Sequence, residues 1–147
     1  MIEVIAWEEI LNIWSTKLWP DRESLIKPNS AMCYLEGHDM FNMQTLPTFF
    51  AYKIDNKIVG VNSGHATINN TYRSRGLWVD PVFRKQGIGK ELLLATINQA
   101  VDENSNMIWS LPRQTSWNTY KSAGFELGSD WFKTETSDNN AYCFKKI

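Results

Sequence analysis

The chain has 147 residues, 43% of them apolar and 21% charged, which fits one compact domain and excludes a disordered tail or a membrane protein. Lys and Arg number 15 against 16 Asp and Glu, a formal charge of −1, so nucleic-acid binding through bulk positive charge is excluded. Cys33 and Cys143 stand far apart without a CxxC pair, which excludes a thiolate zinc site and argues against a disulfide framework. No apolar run approaches the ~20 residues of a membrane span. Glu3, Glu8 and Glu9 interrupt the start of the chain, so no signal peptide is read and the expected location is the cytoplasm.

Met1–Ile5 reads as a short strand. Trp7, Ile10, Leu11, Trp14 and Leu18 then recur at helical spacing until Pro20. Between Pro20 and Pro47 the pattern weakens, and a helix flanked by loops is expected. Thr48–Ile54 is rich in β-favouring residues and ends at the turn Asp55-Asn56. A strand from Ile58 to about Ile68, the turn Asn69-Asn70 and a strand Thr71–Asp80 complete a predicted antiparallel meander. From Ile88 the period changes: Leu92, Leu93, Ile97, Ala100 and Val101 mark an amphipathic helix. A strand Met107–Leu111, a helix around Ser116–Ala123 stopped by Gly124, and strands near Glu126–Glu135 and Ala141–Lys146 close the chain, the last two joined by a turn at Ser137–Asn140. No linker or repeat divides it, so a single mixed α/β domain over 1–147 is expected.

The most informative stretch runs from Leu77 to Lys90. A strand ends at Pro81, and a loop bearing Gly87 and Gly89 opens directly into the long helix. N–H groups in such a loop and first helical turn lack internal partners, and the helix dipole adds partial positive charge, so the place suits phosphate. Arg84, Lys85 and Lys90 add charge at its rim. A Walker-type loop is not present: Arg84 stands where its first glycine belongs and Glu91 where it needs Ser or Thr. A dinucleotide fingerprint starting at Gly87 fails at Leu92.

The longer pattern Leu77-x-Val79-x-Pro81-x-x-Arg84-x-x-Gly87-Ile88-Gly89 resembles the acyl-CoA-binding motif of the GNAT superfamily of N-acetyltransferases. Tyr120-Lys121-Ser122-Ala123-Gly124-Phe125 is similar to that family's Tyr-x-x-x-Gly-Phe signature. The resemblance covers most of the chain from about Thr48 to Ile147. It implies a mixed, mostly antiparallel twisted sheet of about six to seven strands flanked by helices. It also implies acetyl-CoA as cosubstrate and transfer of the acetyl group to a primary amine of a small molecule or peptide, with no metal.

Carried onto this chain, the resemblance places the CoA pyrophosphate on the loop Arg84, Lys85, Gln86, Gly87, Ile88, Gly89 and Lys90. The pantetheine arm falls on main-chain groups of Leu77 and Val79, as a strand added to a splayed sheet. Tyr120 matches a position proposed as general acid to the leaving thiolate. Many relatives carry a pantetheine-contacting asparagine where this chain has Arg113, and Asn118 is the candidate substitute. Where some relatives place a basic glutamate, the register here brings Arg73 or Ser74. His65 is the titratable candidate on the neighbouring strand, and Glu36, His38 and Asp39 are candidate amine contacts. Trp14, Trp19, Tyr34, Phe41, Trp117 and Trp131 are candidates to line an acceptor pocket, although core packing accounts better for most of them. The partners implied are an amine substrate and, as among relatives, a second copy of the chain, with no nucleic acid or membrane. The alternatives are a CoA-binding sensor or interaction module without chemistry, and an ATP-binding loop, which Arg84 and Glu91 disfavour.

Overall fold

The computed structural model describes residues 1–29, 32–33, 37–38, 46–134 and 138–147, with 32–33 and 37–38 described by backbone alone. Strand β1 (Ile2–Val4) leads into helix α1 (Trp7–Ile13), which continues as a π-helical turn over Trp14–Leu18. Glu8 and Glu9 place negative charge in the first turn of α1, where the helix dipole favours it. Trp19 leaves helical geometry just before Pro20. The helix expected between Pro20 and Pro47 is absent from the described residues there. Residues 30–31, 34–36 and 39–45 of that stretch lie outside the described ones; within it β2 (Met32–Cys33) pairs antiparallel with β3 (Gly37–His38).

The meander follows its expected bounds closely: β4 (Thr48–Ile54), β5 (Lys57–Thr67) and β6 (Thr71–Val79). Asp55 and Asn56 both have positive φ, 50° and 65°, the pairing a tight two-residue hairpin needs and that Asp and Asn tolerate. Helix α2 (Ile88–Asp102) connects to β7 (Met107–Ser110), which is followed by α3 (Trp117–Ser122), β8 (Glu126–Leu127), β9 (Phe132–Lys133), β10 (Asn139–Asn140) and β11 (Cys143–Lys146). The long strand expected from Glu126 to Glu135 is therefore two short ones. Gly128, Ser129 and Asp130 break it: Gly128 N–H donates to the Tyr142 carbonyl and the Ser129 hydroxyl caps the Tyr142 N–H. β9 then pairs with β10 in a separate ribbon, so Asn139 and Asn140, expected in a turn, are strand residues.

The main sheet has seven strands in the order β1-β4-β5-β6-β7-β11-β8. Its pairings are antiparallel except β6 with β7. Phe49 and Ala51 pack with Ile10 and Trp14 of the first helical segment, whereas Phe50 packs with Ile88 and Leu92 of α2. Alternate residues of a strand face opposite sides, so α1 and α2 cover the two faces. α3 joins α2 through Tyr120, Ala123, Leu93 and Ile97 in one buried cluster. Two features of β6 prepare the site. Gly76 and Leu77 together oppose Asn62 of β5, a β-bulge, and Gly76 sits at φ 78° where a Cβ would meet the Trp14 ring at 2.3 Å. The pairing with β7 covers only Thr71, Tyr72 and Arg73. Beyond Arg73 the two parallel strands part.

Candidate functional site

A cavity of about 730 Å³ occupies this parting, within the ~300–1,000 Å³ common for ligand sites. Leu77 and Val79 of β6 line it, as do Arg84, Lys85, Gly87, Ile88, Gly89 and Lys90 of the loop and helix start. Asn118 and Tyr120 of α3 line the facing wall. Ten of the eleven residues expected to bind the coenzyme or act as the acid thus meet around one space. Gln86 is the exception: it is exposed and contributes nothing to the lining.

The loop is shaped by local chemistry. The Asp80 carboxylate accepts from the Val82 N–H at 3.0 Å and starts a 3-10 turn at Pro81–Phe83. Lys85 (φ 63°) and Gly87 (φ 81°) both lie in the left-handed region, and this coils the loop tightly before α2. Among the described residues, none of the N–H groups from Lys85 to Lys90 has a hydrogen-bond partner. The first N–H satisfied in this run is that of Glu91, donating to the Gly87 carbonyl at 3.0 Å. A cluster of open donors beside a helix N-terminus is an anion-binding arrangement. A Cβ on Gly87 would meet nothing within 4 Å, so position 87 is open space at the mouth. Gly89 differs, because its Cβ would lie 2.8 Å from Thr119 Cγ2, and its role is to let α2 approach α3. Arg84 reaches back, its Nε donating to the Val79 carbonyl at 2.9 Å. That carbonyl is therefore occupied by the protein itself.

Toward the convergence of β6 and β7 the surroundings become buried. Tyr120 is 3% exposed, packs edge-on against Phe125 and pairs its phenol with Ser110, whose hydroxyl donates to the Ser74 carbonyl at 2.6 Å. Burial raises the phenol pKa above its ordinary value, so it keeps its proton at neutral pH. Arg73 and Ser110 line the same end. Sequence reasoning reached Arg73 only as the occupant of a position where a base was sought. Ser110 it missed, because a serine ending a strand carries no signal until the strand it faces is known.

His65 does not join the site. It is fully buried on β5, outside the cavity lining, with Nδ1 donating to the Ala66 carbonyl at 3.1 Å. Burial, with help from the charges of Arg73 and Arg75, lowers its pKa to about 4. Arg113, where the asparagine was sought, has a different employment: it donates to the Leu18 carbonyl at 2.7 Å and meets Asp138 at 3.2 Å. Trp19 lines the cavity; Trp14 is core, and Trp117 packs on Trp131 away from the lining. Tyr34, Glu36, Asp39 and Phe41 lie outside the described residues, as does the side chain of His38. Among the described residues no group of three or more His, Cys, Asp or Glu is placed to hold a metal ion. No helix there is long and apolar enough to cross a membrane.

Comparison with known proteins gives this architecture its class. Residues 5–125 match the family model described as Acetyltransferase (GNAT) family, and the chain belongs to that family of acetyltransferases. A search of curated proteins found no match. Among solved structures, a protein described as an acyl-CoA N-acyltransferase from Klebsiella pneumoniae superposes with a TM-score of 0.70 at 16% identity, over 100% of this chain and 97% of its own. The ribosomal-protein-alanine N-acetyltransferase of Brucella melitensis gives 0.67 at 15% identity, over 100% and 99%. A GNAT family acetyltransferase from Elizabethkingia anophelis with acetyl-CoA bound gives 0.57 at 16% identity, over 69% and 76%. At these identities the superpositions show the shared fold.

Proposed function

We propose that the chain, as one domain, transfers the acetyl group of acetyl-CoA to a primary amine of a small molecule or peptide by direct attack. The observation that carries this reading is the row of unpartnered N–H groups from Lys85 to Lys90 at the mouth of the parted strands. Those donors, with the Arg84, Lys85 and Lys90 side chains, hold the diphosphate of CoA. The unpaired edge of β6 at Leu77 takes the pantetheine arm as an added strand. Because the Val79 carbonyl is engaged by Arg84, that residue contributes its surface more than its acceptor. Asn118 contacts the arm from α3. Bound acetyl-CoA supplies the activated acyl carbon.

The residues of the buried end then serve the transfer. An amine must arrive neutral to attack, since an ammonium ion has no lone pair. As the new C–N bond forms and the C–S bond breaks, Tyr120 gives its proton to the departing sulfur and recovers one, through water, from the amine nitrogen. Burial keeps the phenol protonated until that moment. The second reading is a CoA-binding module without turnover. It draws on one observation: among the described residues, no Asp, Glu or His lines the cavity, so no side-chain base stands beside the acyl carbon. Thiol release from acetyl-CoA on adding a panel of amines separates the two. Release supports the transferase, whereas stabilisation by CoA with no release for any amine supports the module. Stabilisation by ATP but not CoA contradicts both.

A further inference from the structure

Among the described residues, Arg73 is the one buried charged side chain lining the cavity, and the proposed acetyl transfer leaves it unused. It is 7% exposed and sits at the end where β6 and β7 converge. Its Nε donates to the Ser74 carbonyl at 2.9 Å, and its plane lies over the Trp109 ring at 4.6 Å. Nη1 has no hydrogen-bond partner, and no Asp or Glu among the described residues pairs with the guanidinium. The other buried side-chain atom without a partner, Asn62 Oδ1, lies outside the cavity lining. A buried cation without a counter-ion costs several kcal/mol. The neighbouring Arg75 is also buried with no carboxylate partner among the described residues, but its Nη1 donates to the Lys27 carbonyl at 2.6 Å and its guanidinium carbon lies 4.9 and 5.3 Å from the Trp14 and Trp19 rings. Arg73 has one ring instead of two and, unlike Arg75, a buried guanidinium nitrogen left without a partner.

A ligand can complete it, but the CoA diphosphate cannot. The strand from Val79 back to Arg73 spans roughly 20 Å at ~3.3 Å per residue, so phosphates held at the loop lie far beyond Debye screening of ~8 Å. The charges of the lining point the same way. Besides the loop cations, Lys17 and Arg73 line the cavity, Arg113 is already paired with Asp138, and no described lining residue is acidic. Such a space repels polycationic amines and accepts an anion. A planar guanidinium fork matches a carboxylate in two parallel hydrogen bonds, and the Ser110 and Tyr120 hydroxyls stand beside it.

We infer that the acetyl acceptor carries a carboxylate as well as its amine, and that Arg73 binds this carboxylate at the convergence of β6 and β7. This rests on the acetyl-transfer reading above. Arg73 is thereby a specificity residue, selecting amino acids over the corresponding amides, diamines and polyamines.

The test is calorimetric titration of the CoA-saturated protein with individual amino acids and, as matched probes, their carboxamides. At least one amino acid is expected to bind tenfold or more tightly than its own carboxamide. In Arg73→Gln that ratio falls to near one with CoA affinity unchanged, and Arg73→Lys restores part of it. Equal binding of acids and amides by the wild-type protein overturns the inference, as does a preference that survives in Arg73→Gln. A uniform fall in turnover for all acceptors in Arg73→Gln also overturns it, because it would place the guanidinium on the thioester. Should Arg73→Gln fail to fold by circular dichroism, the wild-type ratio decides alone. Acetyl transfer measured on the same pairs keeps the two claims apart. Transfer to acids and amides alike removes the carboxylate site and leaves the transferase, while binding of acids with no transfer removes the transferase and leaves the site.

Discussion

The two ends of the cavity are built on opposite principles. At the mouth, the proposed binding rests on main chain: open N–H groups between Lys85 and Lys90, exposed side chains, and a glycine at φ 81° with empty space where a Cβ would go. At the convergence of β6 and β7 it is made from buried side chains, namely Arg73, Ser110 and Tyr120, each fixed by contacts from different strands and helices. The mouth spends little stability because its donors stay hydrated when empty. The inner end holds a cation that burial alone drives to a pKa of about 10 and a phenol that burial keeps protonated. Affinity for a shared coenzyme can thus reside in backbone geometry, whereas chemistry and selectivity reside in residues that need a finished fold.

Substitutions at each end break this contrast in different ways. Gly87→Glu puts a carboxylate in the open space at the mouth, and CoA affinity is expected to fall by about 100-fold or more by calorimetry. Gly87→Ala, which adds no charge, costs about 1 kcal/mol of stability through its positive φ and leaves most of the affinity. Unchanged affinity in Gly87→Glu would move the phosphates elsewhere.

Burial of His65 on β5, outside the cavity, is expected to govern acid sensitivity. The His65 pKa in the fold, about 4, lies below the unfolded value of ~6.5. Between these values the unfolded chain binds more protons, so stability is full above pH ~6.5 and falls as pH drops toward 4, by roughly 3 kcal/mol. Denaturant titrations across that window should show the slope, and His65→Gln should flatten it. An unaltered slope in the variant would show that other groups carry it.

Tyr120→Phe removes the proposed proton donor but keeps the packing. Turnover should drop about 10- to 100-fold while CoA affinity changes less than about twofold. Equal effects on both would reduce Tyr120 to a packing residue. The smallest effect is also the one of unusual sign. Arg73→Met removes an unpaired buried cation at similar volume, and the ligand-free protein should gain about 1 kcal/mol, a rise of about 2–6 °C in thermal midpoint. A loss of stability would mean that the stacking on Trp109 and the bond to Ser74 outweigh desolvation.

This contrast also governs what the letters alone could reveal. The meander was legible because Asp55-Asn56 and the β-branched and aromatic runs around it are local signals, and α2 because its apolar period is long. The mouth was legible for the same reason: a glycine-bearing loop between a strand and a helix is contiguous in sequence. The inner end was not. Ser110 comes near Tyr120 only through the parallel pairing of β6 with β7, and His65 looked available until β5 was buried on both faces. The break at Gly128–Asp130 depends on hydrogen bonds to Tyr142, more than ten residues away, so a continuous strand was the natural local reading.

The main-chain donors at the mouth are proposed to grip a diphosphate. Calorimetry comparing CoA with pantetheine, which has the same arm but no diphosphate, tests it most directly. CoA is expected to bind at least about 100-fold more tightly than pantetheine; equal affinities for the two would mean that these donors hold no diphosphate.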